Sequence, residues 1–511
     1  MKIAVVNVPR LEPHRPPPGP AIIAKVCSNH GHEVTAYDLN IKFFQHCNNN
    51  NQNYHSYDSI FDEVIDATPD QLNFINKFIH HWCSKIAQQN FDAILLSVFG
   101  MSGKVFAKLF LAELRQHFSK TIIAGGMGIG SFDLVDAENC FGAQLKKENL
   151  IDTFIVGEGE YSIIKALNGQ SGPGINNNQF TQIDNLDLLD QPDYSFYNLD
   201  DYDYLIPHEK EVYITGSRGC VRKCTYCDVE RFWPKYRYRS GQNIADEIIC
   251  NYEKFGITRF YFTDSLVNGS IKAFNDMCDA LSRYNFDQKI SWSGQFIFRE
   301  RRSIPKDHFK TMAKAGANIL YVGIETGSDR VRAEMGKKFS NDDIEYQLEE
   351  CSQYNIKVMP LMFTGYITET IEDHYDNLKF FQRYQKYVAD GTIIGVELGS
   401  NLVILPGAPV ERMIETHGLE FIMNKSGNPG LDLWRAKSNP DLTIRERIRR
   451  KLEVHETAIK YNWPVWRQNS RLNELKNLII QNNLNIDDQQ YYKIEKDKDT
   501  RIKKVIPIVA S

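Results

Sequence analysis

Gly219-Cys220-Val221-Arg222-Lys223-Cys224-Thr225-Tyr226-Cys227 places three thiols in a C-x3-C-x2-C spacing. Three thiolates on so short a loop can share one inorganic centre. An iron–sulfur cube ordinarily takes four cysteine ligands, yet the next cysteine is Cys250. A cube held by Cys220, Cys224 and Cys227 keeps one iron open, and an open coordination position separates a catalytic metal centre from a structural one. Gly216 and Gly219 let the backbone turn tightly. Arg218, Arg222, Lys223, Arg231, Lys235, Arg237 and Arg239 bring positive charge, which is expected to lower the thiol pKa values. A three-cysteine zinc site is the alternative, although zinc more often takes paired C-x2-C modules or histidines.

On either side of this loop the hydropathy pattern alternates. Val212–Thr215 reads as a strand leading into the cysteines. A helix follows with Ile244, Ile248, Tyr252 and Phe255 on one face and Gly256 as its stop. Further strands are expected at Arg259–Thr263, Ile290–Ser293, Ile319–Gly323, Lys357–Leu361 and Ile393–Val396, with helical patterns between them. Six strands over about 190 residues predict a partial α/β barrel with its chemistry at the strand carboxyl ends.

Toward the N-terminus a second alternating series appears. Strands are expected at Ile3–Val6, near Val34–Asp38, and at Ala93–Ser97, Ile122–Ala124 and Thr153–Val156. A Pro-rich loop, Pro13–Pro20, precedes a helix through Ile22, Ile23 and Val26. Phe106, Phe110 and Leu114 make the apolar face of another. This alternation predicts a doubly wound parallel sheet with ligands at the carboxyl ends of its strands. The insertion carrying Asn48–Asn53 is read as a solvated loop.

The expected layout is 1–170 as a Rossmann/flavodoxin-like domain, 171–210 as a linker with the acidic, Tyr-rich run Asp193–Tyr204, 211–410 as the partial barrel, and 411–511 as a mostly helical region. In the last, Thr443-Ile444-Arg445-Glu446 reads as a capping box. Arg445, Arg447, Arg449, Arg450 and Lys451 read as a solvated basic face. Trp434, Trp463 and Trp466 read as pocket or core, and the charged stretch after Asp487 as poorly ordered.

Composition narrows the function. A formal net charge of -5 on 511 residues gives no electrostatic case for nucleic acid. No apolar run is long enough to span a membrane, and Ile3–Val8 is too short for a signal peptide. The ten cysteines form no disulfide framework, which suits a reducing cytoplasm.

The cysteine spacing, with Tyr226 before the last cysteine, resembles the signature of radical S-adenosylmethionine (SAM) enzymes. Downstream segments are similar in order: Phe262-Thr263-Asp264, Val322-Gly323-Ile324-Glu325-Thr326-Gly327, Phe363-Thr364-Gly365-Tyr366 and Leu405-Pro406-Gly407. The resemblance implies a 4Fe-4S cluster on Cys220, Cys224 and Cys227, with SAM contacted by Tyr226, Thr263, Asp264, Glu325 and Thr364. Asp264 is the expected partner of the SAM ammonium and Glu325 of its ribose or amine. Tyr366-Ile367-Thr368 departs from the family's Gly-rich turn. Gln295 and Arg299 are candidates for the barrel interior.

The first half resembles the cobalamin-binding domain of the cobalamin-dependent branch. Ser97, Gly125, Gly126, Glu158 and Gly159 are the implied cobalamin contacts. Asp-x-His-x-x-Gly, which supplies a cobalt-ligating histidine elsewhere, is absent. A flavodoxin-like domain without a ligand is the alternative.

The family's chemistry is reductive cleavage of SAM to methionine and a 5′-deoxyadenosyl radical, fed by flavodoxin or ferredoxin. In this branch it implies methyl transfer from methylcobalamin to an unactivated carbon. Rearrangement or cyclisation without methyl transfer, methylthio transfer, and a non-enzymatic cobalamin- or zinc-binding role stand as alternatives. The substrate is not legible.

Overall fold

The computed structural model describes residues 1–9, 12–61, 66–130, 140–202, 209–285, 287–423, 429–466, 490–496 and 503–507. Contacts divide the chain into two units, Met1–Ile214 with Glu247–Tyr261, and Thr215–Asp246 with Phe262–Ser511.

In the first unit, β1 (Lys2–Asn7), β2 (Glu33–Asp38), β3 (Ala93–Ser97), β4 (Thr121–Gly125) and β5 (Thr153–Phe154) form one parallel sheet in the order β2-β1-β3-β4-β5. Consecutive side chains of a strand face opposite ways. Ile3 and Val5 therefore pack with Leu95, Ile123, Ile22 and Val26 on one face. Ala4 and Val6 pack with Ile94, Leu96, Phe43, Phe78 and Phe106 on the other. Both faces are covered, which is why these strands read as unbroken apolar runs. The order reverses between β1 and β3, the place where open α/β sheets leave a ligand crevice at the carboxyl edge.

The insertion between β2 and β3 differs from the loop expected there. Helices Leu39–Asn49 and Pro69–Ala87 fill it, and they bury Phe43, Phe78 and Ile79. Within the Asn tract, Asn48 and Asn49 end the first helix and the residues from Asn50 to Asn53 form an exposed turn, with Asn51 in a left-handed conformation and Asn53 capping the next turn. The run from Asp193 is packed as well. Tyr194 and Tyr202 are buried, and the Tyr202 hydroxyl donates to Asp38 at 2.8 Å. Asp203 and Tyr204 lie outside the described residues.

The larger sheet contains β6 (Glu211–Ile214), β9 (Arg259–Phe262), β10 (Ser291–Phe296), β11 (Ala317–Glu325), β12 (Lys357–Thr364), β13 (Val396–Asn401) and β16 (Val465–Trp466). Its order is β16-β13-β12-β11-β10-β9-β6. Two short strands, β7 (Ser217–Arg218) and β8 (Arg237–Tyr238), form an antiparallel pair around the cysteine loop. The last barrel strand lies later than its apolar run suggested. Ile393 makes only an isolated bridge to Val358, and the strand proper begins at Val396.

After the barrel come helix Ile444–Lys460 and, in addition, a four-stranded antiparallel sheet. That sheet is built from β14 (Leu419–Met423), β15 (Pro429–Ala436), β17 (Tyr491–Lys496) and β18 (Lys503–Pro507), in the order β15-β14-β17-β18. Thr443 caps the helix by accepting from the Glu446 N–H, but the Glu446 side chain binds Arg449 and Arg450 instead of completing a reciprocal box.

The basic run on this helix is not a solvated face throughout. Arg447 and Arg450 are buried, because a 3.6-residue period turns them inward with Ile444 and Ile448. Arg447 donates to the carbonyls of Leu402, Asp432 and Trp434 and lies over the Trp434 ring. Trp434 and Trp463 are core, whereas Trp466 is half exposed. The stretch after Asp487, expected to be poorly ordered, contains β17 and β18, and its other residues apart from Gln490 lie outside the described residues.

One buried histidine gives the barrel a pH response. His308 sits against Phe274 and Phe296 at ring-centroid distances of 5.6 and 6.5 Å. Burial pushes its pKa down to about 4. A depressed histidine pKa favours folding while the ring is neutral, so this contribution is complete above about 6.5 and lost as pH falls toward 4. Stability is expected to fall by about 3 kcal/mol across that window. His308→Gln should flatten that part of the curve, measured by denaturant unfolding at several pH values.

Candidate functional site

The three cysteines sit on a loop held by its backbone. The Thr225 N–H donates to Met335 O (3.1 Å), the Val410 N–H to Thr225 O (2.6 Å) and the Cys227 N–H to Cys224 O (3.1 Å). The Thr225 hydroxyl meets the Tyr366 hydroxyl at 2.8 Å, and Arg231 donates to Pro406 O. Thus the turn at 335, after helix Asp329–Glu334, and the turns at 366 and 405–410, beyond β12 and β13, close on the loop. The Arg222 N–H donates to Cys220 Sγ at 3.3 Å, the kind of N–H···S contact that tunes a cluster.

Positive charge works in the expected direction at the thiols but is outweighed by burial. Burial raises all three, taking Cys227 up to about 12, and Lys337 and Arg222 only oppose the shift at Cys220 and Cys224. The arginines are engaged elsewhere, Arg239 with Thr215 O and Asn243 for example. Iron must therefore displace protons from neutral thiols, which couples metal binding to proton release.

Beside Cys224 lies a compact charged network. The Tyr226 hydroxyl (2.6 Å) and Lys337 Nζ (2.8 Å) both donate to Glu325 Oε1, and Lys337 also donates to Gly323 O (2.9 Å). Lys337 is buried. Desolvation pulls its pKa down, but Glu325 and Cys224 more than offset this and it ends raised. Burial, then the Glu325 charge, holds the Tyr226 pKa well above its usual value.

The backbone is shaped to allow this. Glu325 follows a register shift in β11 and takes φ +68°, a conformation that costs a residue with a Cβ about 1 kcal/mol. A Cβ at Gly323 would fall on Glu325 Oε1 and Lys337 Nζ, so any larger residue there would push this pair aside. Gly336, at φ +84°, turns the chain after helix Asp329–Glu334 so that Lys337 points back into the site. Lys337 had no sequence signal except this Gly after a short helix.

The other expected SAM contacts are arranged differently from one another. Asp264 is buried, and both its oxygens face the loop base: the Gly216 N–H donates to Oδ2 (2.8 Å) and Ser217 Oγ to Oδ1 (2.5 Å). Burial pushes its pKa up to about 7. Thr263 Oγ1 pairs with Thr215 Oγ1 at 2.8 Å, and Thr364 Oγ1 donates to Asn401 Oδ1 at 2.7 Å. Gln295 is exposed. Arg299 donates to Asn268 O, and its Nε, like that of Arg222, is buried without a partner among the described residues. Burial and then the Arg222 charge lower the Arg299 pKa.

In the first unit the expected cobalamin contacts lie at the carboxyl edge of the sheet. Ser97 ends β3, Gly125 ends β4, and Gly159 opens helix Gly159–Leu167. Space is open around Gly100, and nearly so at Gly125. Gly126 is tightly packed on Val98, and the Glu158 carboxylate accepts from the Ile183 N–H at 2.5 Å. Phe99, just past β3, is exposed.

Residues 214–381 match the family model of the radical SAM superfamily. The chain's fold extends the likeness over nearly its whole length. TsrM from Kitasatospora setae, a radical SAM methyltransferase solved with cobalamin and a 4Fe-4S cluster bound, superposes with a TM-score of 0.61 at 14% identity, covering 89% of this chain and 88% of that one. OxsB, a cobalamin-dependent radical SAM enzyme solved with aqua-cobalamin and SAM, gives 0.60 at 16% identity, covering 88% and 66%. At these identities the likeness is one of fold.

Among curated proteins, the cytidylyl-2-hydroxyethylphosphonate methyltransferase of Streptomyces wedmorensis is 29% identical over 30% of this chain and 29% of its own length. An uncharacterized methyltransferase of Pyrococcus horikoshii is 20% identical over 66% of this chain and 73% of its own length. The anaerobic magnesium-protoporphyrin IX monomethyl ester cyclase of Synechocystis is 23% identical over 56% and 58%. The chain thus spans less than two thirds of the length of several relatives it matches. No helix among the described residues is long and apolar enough to cross a membrane.

Proposed function

We propose that this chain is a cobalamin-dependent radical SAM methyltransferase acting on an unactivated carbon. The observation that carries the reading is the placement of Cys220, Cys224 and Cys227 beside the Glu325–Lys337–Tyr226 network. The three cysteines would hold a 4Fe-4S cluster with one iron open to SAM, whose reductive cleavage supplies a 5′-deoxyadenosyl radical. The two unmatched Nε–H groups of Arg222 and Arg299 suit a carboxylate, which SAM provides. Glu325 uses Oε1 for its protein partners, and among the described residues no donor meets Oε2, so a ribose hydroxyl or ammonium suits it. Thr263 and Thr364 offer hydroxyls just past β9 and at the end of β12, with β10 and β11 between them in the sheet. Asp264 instead braces the loop through Gly216 and Ser217, with the SAM ammonium as its second partner only if those bonds rearrange.

Ser97, Gly125, Gly126, Glu158 and Gly159 would form the cobalamin edge of the first sheet. Gly125 and Gly159 would leave room for the macrocycle, while Gly126 and Glu158 would set the loops that frame it. The electron donor would be a flavodoxin or ferredoxin, and ten free cysteines suit a cytoplasmic location.

The cyclase relative favours a second reading, rearrangement or cyclisation without methyl transfer. Methylthio transfer, for which another relative, the ribosomal protein uS12 methylthiotransferase of Clostridium botulinum, is named, calls for a second cluster site. Cys27, Cys47, Cys83 and Cys140 are poorly placed for one, since all are buried and Cys27 lies in a different core from the other three. A zinc- or cobalamin-binding protein without activity predicts no SAM turnover at all. Product analysis decides: methyl transfer yields S-adenosylhomocysteine together with 5′-deoxyadenosine under reducing conditions. 5′-Deoxyadenosine alone, with a product unchanged in methyl count, would replace this reading with the second.

A further inference from the structure

Helices Pro69–Ala87 and Lys104–His117 pack side by side in the first unit and leave a groove of about 690 Å³ between their outer faces. At its rim three metal-ligating side chains converge. His80 comes from the first helix, and Glu113 and His117 from the second, one turn apart on the same face. His80 Nδ1 lies 2.7 Å and His117 Nε2 3.3 Å from the same carboxylate atom, Glu113 Oε1. All three ligand atoms lie within 4.8 Å of one another.

We propose that His80, Glu113 and His117 form a zinc site that clips these two helices together and keeps a fourth coordination position open toward the groove. The donor chemistry selects the ion. Two imidazoles and one carboxylate form a set that Zn²⁺ accepts, whereas Ca²⁺ and Mg²⁺ prefer oxygen ligands throughout. The geometry is near what zinc needs. Ligands at about 2.0–2.2 Å in a tetrahedron stand about 3.4 Å apart, so the contacts at 2.7 and 3.3 Å need small side-chain movements only. The helices already pack, so those movements require no backbone rearrangement. His80 and His117 are exposed and Glu113 half-buried, which gives a cation entry from solvent. His80 and Glu113 also line the groove, so the open position faces it. The site uses none of the residues assigned to the cluster, SAM or cobalamin and stands independently of the proposed reaction.

The test is zinc alone, titrated against a chromophoric chelator into the full chain with its cysteine loop filled by iron and sulfide. The wild type should take up one Zn²⁺ per chain. His80→Ala, His117→Ala and Glu113→Gln should each weaken uptake by about tenfold or more. Zinc should raise the Tm of the wild type by several degrees and leave that of His117→Ala unchanged, since only a ligand of the folded state stabilises it. These side chains are exposed enough that the variants should keep the metal-free Tm, which separates lost binding from lost folding. Because vacant thiols also take zinc, a Cys224→Ala chain serves as the second arm and should retain the site. Zinc uptake equal in wild type and His117→Ala, uptake abolished by Cys224→Ala, or no uptake at micromolar zinc would each overturn the proposal.

Discussion

Cys224→Ala is expected to abolish reductive SAM cleavage and to strip the protein of most of its iron. Cys224 is the middle cysteine of the proposed ligand trio and is 8% exposed. Its loss leaves two thiols, too few to hold a cluster with one open iron. The loop itself should survive, because Thr225 N to Met335 O and Val410 N to Thr225 O hold it by backbone rather than by sulfur. Activity should therefore fall by at least about three orders of magnitude, about 4 kcal/mol of lost transition-state stabilisation, while the unfolding midpoint of the iron-free protein barely moves. Cys250→Ala is the control. Cys250 is exposed on helix Gly241–Phe255, away from the trio in sequence, and its removal should change neither iron content nor turnover. Both quantities are read in one anaerobic preparation, iron by chelation and 5′-deoxyadenosine by chromatography.

The second large effect is expected at Lys337→Met. Lys337 Nζ is the only cation among the described residues that bonds Glu325. Breaking a buried ion pair from one side leaves the other charge unmatched and costs about 3–5 kcal/mol. Here the stranded carboxylate would also keep the Tyr226 hydroxyl as its one remaining donor. Stability should drop by that amount in denaturant unfolding, and SAM cleavage by about a hundredfold, since a displaced Glu325 no longer presents its second oxygen. The double variant Glu325→Gln/Lys337→Met separates the two effects. It should recover most of the stability, because no lone charge remains, and little of the activity. A single variant within about 1 kcal/mol of wild type would show that the pair is not buried as described.

The strands were legible because each is buried on both sides. Ile3–Val6, Ala93–Ser97 and Ile122–Ala124 have no polar alternation to blur their ends, and they fall within a residue or two of β1, β3 and β4. Ile393–Val396 misled for the same reason, since buried apolar residues precede β13 without pairing along it. The helices between β2 and β3 were hidden by the Asn tract, which marks only the end of the first and the turn after it. Arg447 and Arg450 read as solvated because composition carries no sign of which helix face is covered, and carbonyls at distant strand ends supply their partners.

At the candidate site, the grouping of the three cysteines on one short loop was legible from their spacing. Lys337 was not, because its role depends on a left-handed turn at Gly336 bringing it back to a carboxylate twelve residues earlier in the chain. Asp264 showed its charge but not its direction, and its two oxygens face Gly216 and Ser217. His80 escaped notice because its partners sit on another helix.

The most direct measurement is the iron and cobalt content of one chain. The protein is prepared without oxygen, reconstituted with iron, sulfide and cobalamin, and freed of excess. About four iron atoms and one cobalt per chain are predicted, with the iron lost and the cobalt retained in Cys224→Ala. Iron without cobalt would contradict the cobalamin assignment of the first sheet. Zinc in place of iron at the three cysteines would contradict the account as a whole.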